Sequence, residues 1–258
     1  MWLFAPGRFG LDFSNLLEKE KNFFGIIMEC LAIIPARGGS KGIPYKNLKK
    51  VDGVPLVVRS VRSALAADSI TRTLVSTDDE DIARVAREAG AEIIMRPDSL
   101  SGDEAPTEPA LLHVLETLAA DEGYQPDLTC FIQCTSPLTA SDDLDQGIKA
   151  LQAQKVDCLV TVVPTHDFLW RRMADGSTQA INHDPSVIRK GRQELEPQYR
   201  ETGAFCVLRT EGFIASRSRF FGRIVLFETP LERAVDVDDL LDLELAEFLA
   251  ARNVKCSE

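Results

Sequence analysis

The sequence lacks the features that build zinc sites, membrane spans and basic nucleic-acid surfaces. Its six cysteines include no C-x-x-C pair and its three histidines are scattered, so no zinc site is expected. No segment reaches the roughly 18 apolar residues that a membrane-spanning helix needs. The net charge of −11 argues against a nucleic-acid binder, because such proteins carry basic surfaces that match phosphates. We therefore expect neither a nucleic acid nor a membrane as a partner.

Three of the six cysteines, Cys130, Cys158 and Cys206, lie in apolar runs, which favours small buried thiols in a reducing compartment and predicts a cytoplasmic protein. The first 27 residues lack the order of a signal peptide, in which a basic region precedes an apolar one. Met28 stands just before the first apolar run and is an alternative start. We treat residues 1–27 as an N-terminal extension outside the fold and residues 28–258 as one domain.

A loop rich in glycine and basic residues is the strongest functional signal. An apolar run at 31–36 predicts a buried strand, and the loop that follows it extends to Asn47. The loop contains three glycines, Arg37, Lys41 and Lys46, a composition that suits a polyphosphate because backbone N–H groups and cations can surround an anion. The spacing of a P-loop and that of a dinucleotide fingerprint are both absent. A basic surface loop without a ligand is the alternative.

Apolar runs alternate with helical patterns along the chain, which predicts an α/β fold with a mostly parallel central sheet. The predicted strands are 31–36, 73–77, 92–95, 129–133, 159–163, 204–208 and 224–227. The predicted helices are 55–67, 79–88, 109–121, 142–154 and 239–251. Between about residues 164 and 200 the alternation breaks, which indicates an inserted hairpin or flap.

Polar side chains follow several of the predicted strands. In open α/β sheets ligands bind beyond the carboxyl ends of the strands, so these side chains are candidates for one site. The candidates include Asp78, Arg96 and the segment Gln133–Ser136. Asp236 and Asp238 are two residues apart, so in an extended segment both carboxylates point to one face, where Mg²⁺ would offset their repulsion. The alternative for these aspartates, as for Asp78, is helix capping.

A basic phosphate loop, a carboxylate pair for a divalent metal and a second polar pocket together form the layout of nucleotidyl transfer. In that chemistry positioning and charge neutralisation supply most of the catalysis.

The motifs resemble, in order, those of the acylneuraminate cytidylyltransferases, also called CMP-sialic acid synthetases. The resemblance covers about residues 29–252. The matching stretches are Pro35–Asn47, Val75–Asp78, Arg96–Pro97, Gln133–Leu138, Arg192–Gln193, Tyr199–Arg200, Gly203–Ala204 and Asp236–Asp238.

The resemblance implies a three-layer, Rossmann-like nucleotidyltransferase that transfers CMP from CTP to the anomeric hydroxyl of a nonulosonic acid and releases pyrophosphate. It also implies Mg²⁺ bound by Asp236 and Asp238, and a homodimer in which the inserted flap reaches its partner. Lys46, Arg37 and Lys41 would be catalytic. The implied nucleotide-binding residues are Arg37, Ser40, Lys41, Lys46, Asn47, Asp78, Arg96 and Thr107. The implied residues for the acidic sugar are Gln133, Thr135, Ser136, Arg171, Arg192 and Tyr199.

The chain departs from the family pattern mainly near the acceptor. Cys134 stands where the family usually has Pro, Thr139 where it has Arg, and Thr202 where it has Asn. The donor half is therefore better defined than the acceptor half. A cytidylyltransferase for another anionic acceptor, such as a different keto-sugar acid or a phosphonate, and a non-catalytic nucleotide-binding homologue remain as alternatives.

Overall fold

The structure, a computed structural model, describes residues 28–40, 42–102, 106–189 and 191–255. Residues 253–255 are described by their backbone only. The N-terminal extension 1–27 and Lys41 lie outside the described residues.

A seven-stranded sheet forms the centre of the described chain, in the order β11-β7-β10-β6-β1-β4-β5. Its strands are β1 (Cys30–Pro35), β4 (Arg72–Thr77), β5 (Glu92–Met95), β6 (Leu128–Ile132), β7 (Cys158–Thr165), β10 (Gln198–Arg209) and β11 (Ile224–Glu228). Only β10 runs antiparallel to its neighbours, β6 and β7. The mostly parallel sheet predicted from the sequence is therefore confirmed, and each predicted strand is present.

Six α-helices accompany the sheet in the described residues. They are α1 (Leu56–Leu65), α2 (Glu80–Glu88), α3 (Thr107–Glu122), α4 (Ser141–Gln154), α5 (Thr210–Ser216) and α6 (Leu240–Lys255). The five predicted helices are present with shifted ends. The sequence prediction missed α5, whose seven residues are too few to show a helical period.

Alternation along β1 shows how the three layers arise. Ala32 and Ile34 pack into the core shared with α1, α2, α4 and α6. Leu31 and Ile33 pack into a second core with α3 and α5. Successive residues of a strand point to opposite faces, so a continuous apolar run supplies both cores at once. The three-layer α/β architecture follows from this arrangement.

Two small hairpins lie beside the sheet. The strands β2 (Lys50–Val51) and β3 (Val54–Pro55) pair just after the loop that follows β1. Neither strand was predicted from the sequence. The strands β8 (Trp170–Arg172) and β9 (Thr178–Ala180) pair within the segment between β7 and β10, where the sequence predicts a hairpin or flap.

The five described cysteines are all buried and unpaired, as their apolar surroundings predict, and Cys256 lies outside the described residues. Within the described ranges no helix combines the length and the apolar character that crossing a membrane requires.

Helix α4 approaches β10 closely at Gly147. A Cβ added at this glycine would lie 2.7 Å from the ring of Phe205, which is itself fully buried. In an open helix Gly→Ala would stabilise by about 1 kcal/mol through helix propensity.

We expect Gly147→Ala to lower the free energy of unfolding by about 1–3 kcal/mol, because overpacking against Phe205 outweighs the gain in propensity. Urea denaturation monitored by circular dichroism measures the change. A variant as stable as the wild type, or more stable, would contradict this description of the helix–sheet contact.

Candidate functional site

An open cleft of about 970 Å³ lies beyond the carboxyl ends of β1, β5 and β6. Most of the side chains predicted for the site line it, although they come from segments far apart in the sequence. These residues are Arg37, Ser40, Lys46, Asn47, Arg96, Thr107, Gln133, Thr135, Asp236 and Asp238. The expectation that parallel strands deliver their polar ends to one place is therefore met in the geometry.

Two aspartates that follow β4 contact the loop after β1. The N–H of Gly38 donates to Asp78 Oδ1 at 3.0 Å. Asp79 caps α2 by accepting from the N–H of Ile82 at 2.9 Å, and a Cβ at Gly38 would meet the Asp79 carboxylate at 2.7 Å. Asp78, predicted to bind nucleotide, therefore supports the loop and does not line the cleft.

Further contacts, both within the loop and with other segments, fix the loop along its length. The side-chain amide of Asn47 donates to the carbonyl of Arg37 at 2.9 Å, which ties the end of the loop to its start. The guanidinium of Arg37 donates to the carbonyl of Gly102 at 3.0 Å. At Gly42 a Cβ would overlap the carbonyl oxygen of Asp238, so the loop packs directly on the carboxylate segment. In its described part, the loop predicted to bind phosphate is therefore held in place by these hydrogen bonds and contacts.

Lys46 connects this loop to the segment that carries the two aspartates. Its ammonium group donates to the carbonyl of Val237 at 2.9 Å and to Asp238 Oδ1 at 3.1 Å. The lysine side chain is only 14% exposed, whereas that of Asp238 is 77% exposed. A largely buried ammonium is screened less than a surface one, so its charge acts strongly on an anion in the cleft.

Asp236 and Asp238 share one face, as their spacing predicts. The intervening Val237 is fully buried and its N–H donates to the carbonyl of Thr135 at 2.7 Å. Both carboxylates therefore line the cleft.

The environment of Asp236 is unusual for a carboxylate. Its Oδ1 is buried and has no hydrogen-bond partner among the described residues. Burial raises the pKa of the Asp236 carboxyl above its ordinary value; a hydrogen bond from Thr135 lowers it, and the nearby charge of Asp238 raises it further. A buried oxygen without a partner beside a second carboxylate fits a cation as its missing partner. The described residues contain no group of three Asp, Glu, His or Cys side chains that could hold a metal, so the pair would share a cation with water or a ligand.

The opposite wall of the cleft comes from Arg96 and the start of α3. The Arg96 guanidinium is nearly buried and donates to the carbonyl of Ser76 at 2.7 Å. Burial lowers the pKa of Arg96, and the charge of Asp78 opposes that effect. Thr107 is the first residue of α3, so the positive end of a helix dipole faces the cleft beside it.

The end of β6 supplies the third wall, with Gln133, Cys134 and Thr135. The Gln133 amide donates to the carbonyl of Gly203 at 2.5 Å. Burial raises the pKa of the Cys134 thiol to about 12, so this cysteine lines the cleft as a small neutral group and not as a thiolate. Ser136 is buried, its hydroxyl has no partner among the described residues, and it does not line the cleft.

Three residues predicted to bind the sugar acid lie outside this cleft. Arg171 is exposed on β8. Arg192 lines a separate cavity together with Arg200. Tyr199 is partly exposed near the start of β10, and a hydrogen bond to Glu228 raises the pKa of its phenol.

The residues that depart from the family pattern differ in their contact with the cleft. Cys134 faces it, whereas Thr139 and Thr202 are buried and do not line it. The hydroxyl of Thr139 donates to the carbonyl of Ser136 at 2.9 Å, and that of Thr202 donates to Thr161 Oγ1 at 2.8 Å. These two threonines therefore act within the protein and do not present groups to a ligand.

The sequence prediction missed three residues that line the cleft: Pro106, Ala110 and Phe131. Phe131 precedes Gln133 by two positions on β6, so the alternation of a strand places both on one face. That signal was available in the sequence. Pro106 and Ala110 carry no chemical signal and reach the cleft only because α3 packs against β1 and β4.

A mostly parallel sheet, a cationic loop beyond its first strand and a facing carboxylate pair form an arrangement that suits an α/β nucleotidyltransferase. Two solved structures share the fold. A CMP:2-keto-3-deoxy-manno-octonic acid synthetase complexed with CTP matches with a TM-score of 0.65 at 16% identity, covering 87% of this chain and 99% of its own. A 4-diphosphocytidyl-2C-methyl-D-erythritol synthase from Anaerococcus prevotii matches with a TM-score of 0.64 at 15% identity, covering 88% and 100%.

The cytidylyltransferase family model matches residues 31–249, and the chain belongs to this family. N-acylneuraminate cytidylyltransferase A of Danio rerio is 33% identical over 221 residues, which are 84% of this chain and 49% of the relative. Pseudaminic acid cytidylyltransferase of Campylobacter jejuni is 30% identical over 224 residues, 86% of this chain and 96% of the relative. The chain thus spans about half the length of the fish enzyme and nearly all of the pseudaminic acid enzyme.

Proposed function

We propose that this protein transfers CMP from CTP to the anomeric hydroxyl of a sialic-acid-like nonulosonic acid and releases pyrophosphate. One observation carries the proposal: Lys46 lies between the phosphate loop and the pair Asp236 and Asp238, so cations and carboxylates face one cleft. Such an arrangement holds a triphosphate on one side and neutralises charge at the reacting phosphate. The relatives that act on N-acylneuraminate and on pseudaminic acid support this acceptor class.

The loop would hold the triphosphate through side chains that face the cleft. Asp78 occupies the N–H of Gly38, and the carbonyl of Arg37 occupies the amide of Asn47. Ser40, the guanidinium of Arg37 and the ammonium of Lys46 face the cleft and would contact phosphate oxygens. Lys41 would add a further charge. Arg96 and Thr107, on the opposite wall, would contact the nucleoside.

Mg²⁺ fits the carboxylate pair. The buried Oδ1 of Asp236 has no partner among the described residues, and Asp238 faces the same space. Mg²⁺ prefers a site with one or two carboxylates, water and substrate phosphates. When bound it would polarise the α-phosphate and lower the pKa of the attacking hydroxyl, so no histidine base is needed. Lys46 would keep Asp238 oriented and remain beside the reacting phosphate.

The acceptor would lie against Gln133 and Thr135. Both line the cleft next to the carboxylate pair, so an anomeric hydroxyl held there would face the α-phosphate. Within one chain Arg171, Arg192 and Tyr199 lie outside this cleft, so we propose that they act in a homodimer. The second candidate is a cytidylyltransferase for a different anionic acceptor. It is favoured by Cys134, which lines the acceptor side of the cleft where the family usually has Pro.

Pyrophosphate release from CTP and Mg²⁺ in the presence of a panel of acids tests the proposal. The panel contains neuraminic, legionaminic and pseudaminic acid types, 3-deoxy-manno-octulosonate and a phosphonate. We expect turnover with at least one nonulosonic acid and a CMP-linked product detected by mass spectrometry. Turnover only with one of the other acids would establish the second candidate. Tight CTP binding without turnover on any acid would indicate a non-catalytic homologue.

Removing the side chain of Asp236 or of Lys46 should lower turnover and leave the fold intact. We expect Asp236→Ala and Lys46→Ala each to lower kcat by at least about 100-fold, the loss typical of removing charge stabilisation from a reacting group. Thermal unfolding should change little. Asp239→Ala is the matched control, because Asp239 lies in the same segment but caps α6 through the N–H groups of Leu241 and Asp242. Near-normal turnover in Asp236→Ala would remove this residue from the metal site.

The flap offers an apolar surface that suits a second copy of the chain. Trp170 and Val187 are exposed, and Ile188 is 95% exposed. Large apolar side chains grouped on a soluble domain are typical of a protein–protein interface. We propose that this surface lies in the homodimer interface.

We expect sedimentation velocity to show a dimer for the wild type and a monomer for Ile188→Asp, because an interface cannot bury an unpaired carboxylate cheaply. Leu65→Asp is the control, since Leu65 is also exposed but lies on α1, away from the flap. A wild-type monomer at assay concentration would contradict the dimer, and an unchanged dimer in Ile188→Asp would exclude this surface.

A further inference from the structure

Strand β10 changes register where it passes the cleft. Its pairing with β7 shifts between Glu201 and Cys206, which interrupts the ladder of backbone hydrogen bonds. Gly203 lies inside the interruption with φ +72°, a left-handed conformation that favours glycine. Bulges of this kind occur next to active sites, where they redirect groups toward a ligand.

Two buried threonine hydroxyls replace the lost backbone bonds. Thr202 Oγ1 donates to Thr161 Oγ1 at 2.8 Å, and Thr161 Oγ1 donates to the carbonyl of Phe205 at 3.0 Å. The N–H of Ala204 donates to Thr202 Oγ1 at 3.3 Å. Both threonines are at most 1% exposed, so a hydroxyl removed here would leave buried polar groups without partners. The pair therefore fixes the backbone on both sides of Gly203.

The carbonyl of Gly203 accepts from the side chain of Gln133. The Gln133 Nε2 lies 2.5 Å from that oxygen, and the backbone N–H of Gln133 donates to the carbonyl of Ala204 at 3.1 Å. A Cβ at position 203 would lie 3.0 Å from Gln133 Nε2 and 3.4 Å from Asp236 Oδ2. Gly203 thus stands between Gln133 and Asp236, and only a residue without a side chain leaves both in place.

We propose that Thr161, Thr202 and Gly203 are positioning residues that fix the Gln133 amide for the acceptor. One N–H of that amide is used by Gly203, so its Oε1 and its second N–H are presented in a fixed orientation. The acceptor acid would therefore need one donor and one acceptor group side by side, such as a hydroxyl next to a carboxylate. This inference rests on the proposed function, because it assigns Gln133 to the acceptor.

Kinetics of Thr202→Val test the inference, with the acid that gives turnover in the panel as the acceptor. We expect the acceptor KM to rise about tenfold, equivalent to about 1.4 kcal/mol, while the KM for CTP stays within about twofold. Thr202→Ser keeps the hydroxyl and should restore the acceptor KM.

Thr210→Val is the matched control. Thr210 Oγ1 forms a hydrogen bond of 2.9 Å with Thr129 Oγ1, a second buried hydroxyl pair that lies away from the cleft. This variant should lower thermal stability and leave both KM values unchanged. If Thr202→Val behaves as Thr210→Val does, losing stability without a selective change in acceptor KM, the positioning role is wrong.

An NMR measurement without any acceptor separates this inference from the proposed function. With ¹⁵N-labelled glutamine, the wild-type Gln133 amide should show one proton shifted downfield by its bond to Gly203. We expect Thr202→Val to lose that shift, and Gly203→Ala to lose it should Thr202→Val fail to fold. A Gln133 signal unchanged in the folded variant overturns the inference. Absence of turnover in the wild type would overturn the proposed function. The NMR signal of the Gln133 amide would still show whether Thr202 and Gly203 fix its orientation.

Discussion

Lys46 makes the ionic contact on which the geometry of the cleft depends. Its ammonium group joins the loop after β1 to a segment 191 residues later in the chain, through the carbonyl of Val237 and the carboxylate of Asp238. Because the lysine is largely buried, this attraction is screened less than a surface ion pair would be. One contact therefore holds the cationic loop and the carboxylate pair on the same opening, which is the arrangement that a triphosphate and a metal require.

The sheet explains why the two halves of the cleft have different character. The parallel strands β1 and β4 end in the loop and in its support, so the proposed donor half is built from strand ends held by local hydrogen bonds. The proposed acceptor half lies where antiparallel β10 passes β6, and there Gln133 donates to the carbonyl of Gly203 beside the register shift of β10. The flap lies outside this cleft and exposes apolar side chains, which suits a site completed by a second chain.

Part of the candidate site could be predicted because several of its residues follow a strand with a clear apolar run. Arg96 and Gln133 are examples: each follows the apolar run of its own strand. The role of Asp78 could not be predicted from spacing alone, because its carboxylate could point either to the cleft or to the N–H of Gly38. In the structure it accepts the hydrogen bond from Gly38. Arg171 and Arg192 could not be placed either, because the flap has no periodic pattern that fixes its position against the sheet.

The sequence by itself determined the seven strands, the five longer helices and the glycine-rich loop, because these depend on periodicity and composition within a few neighbouring residues. It could not determine the antiparallel direction of β10 or the bond between Gln133 and Gly203. Those features arise from contacts between residues about 70 or more positions apart, which have no local signature. Only the packed sheet, in which most buried polar groups find a partner, decides which distant groups meet.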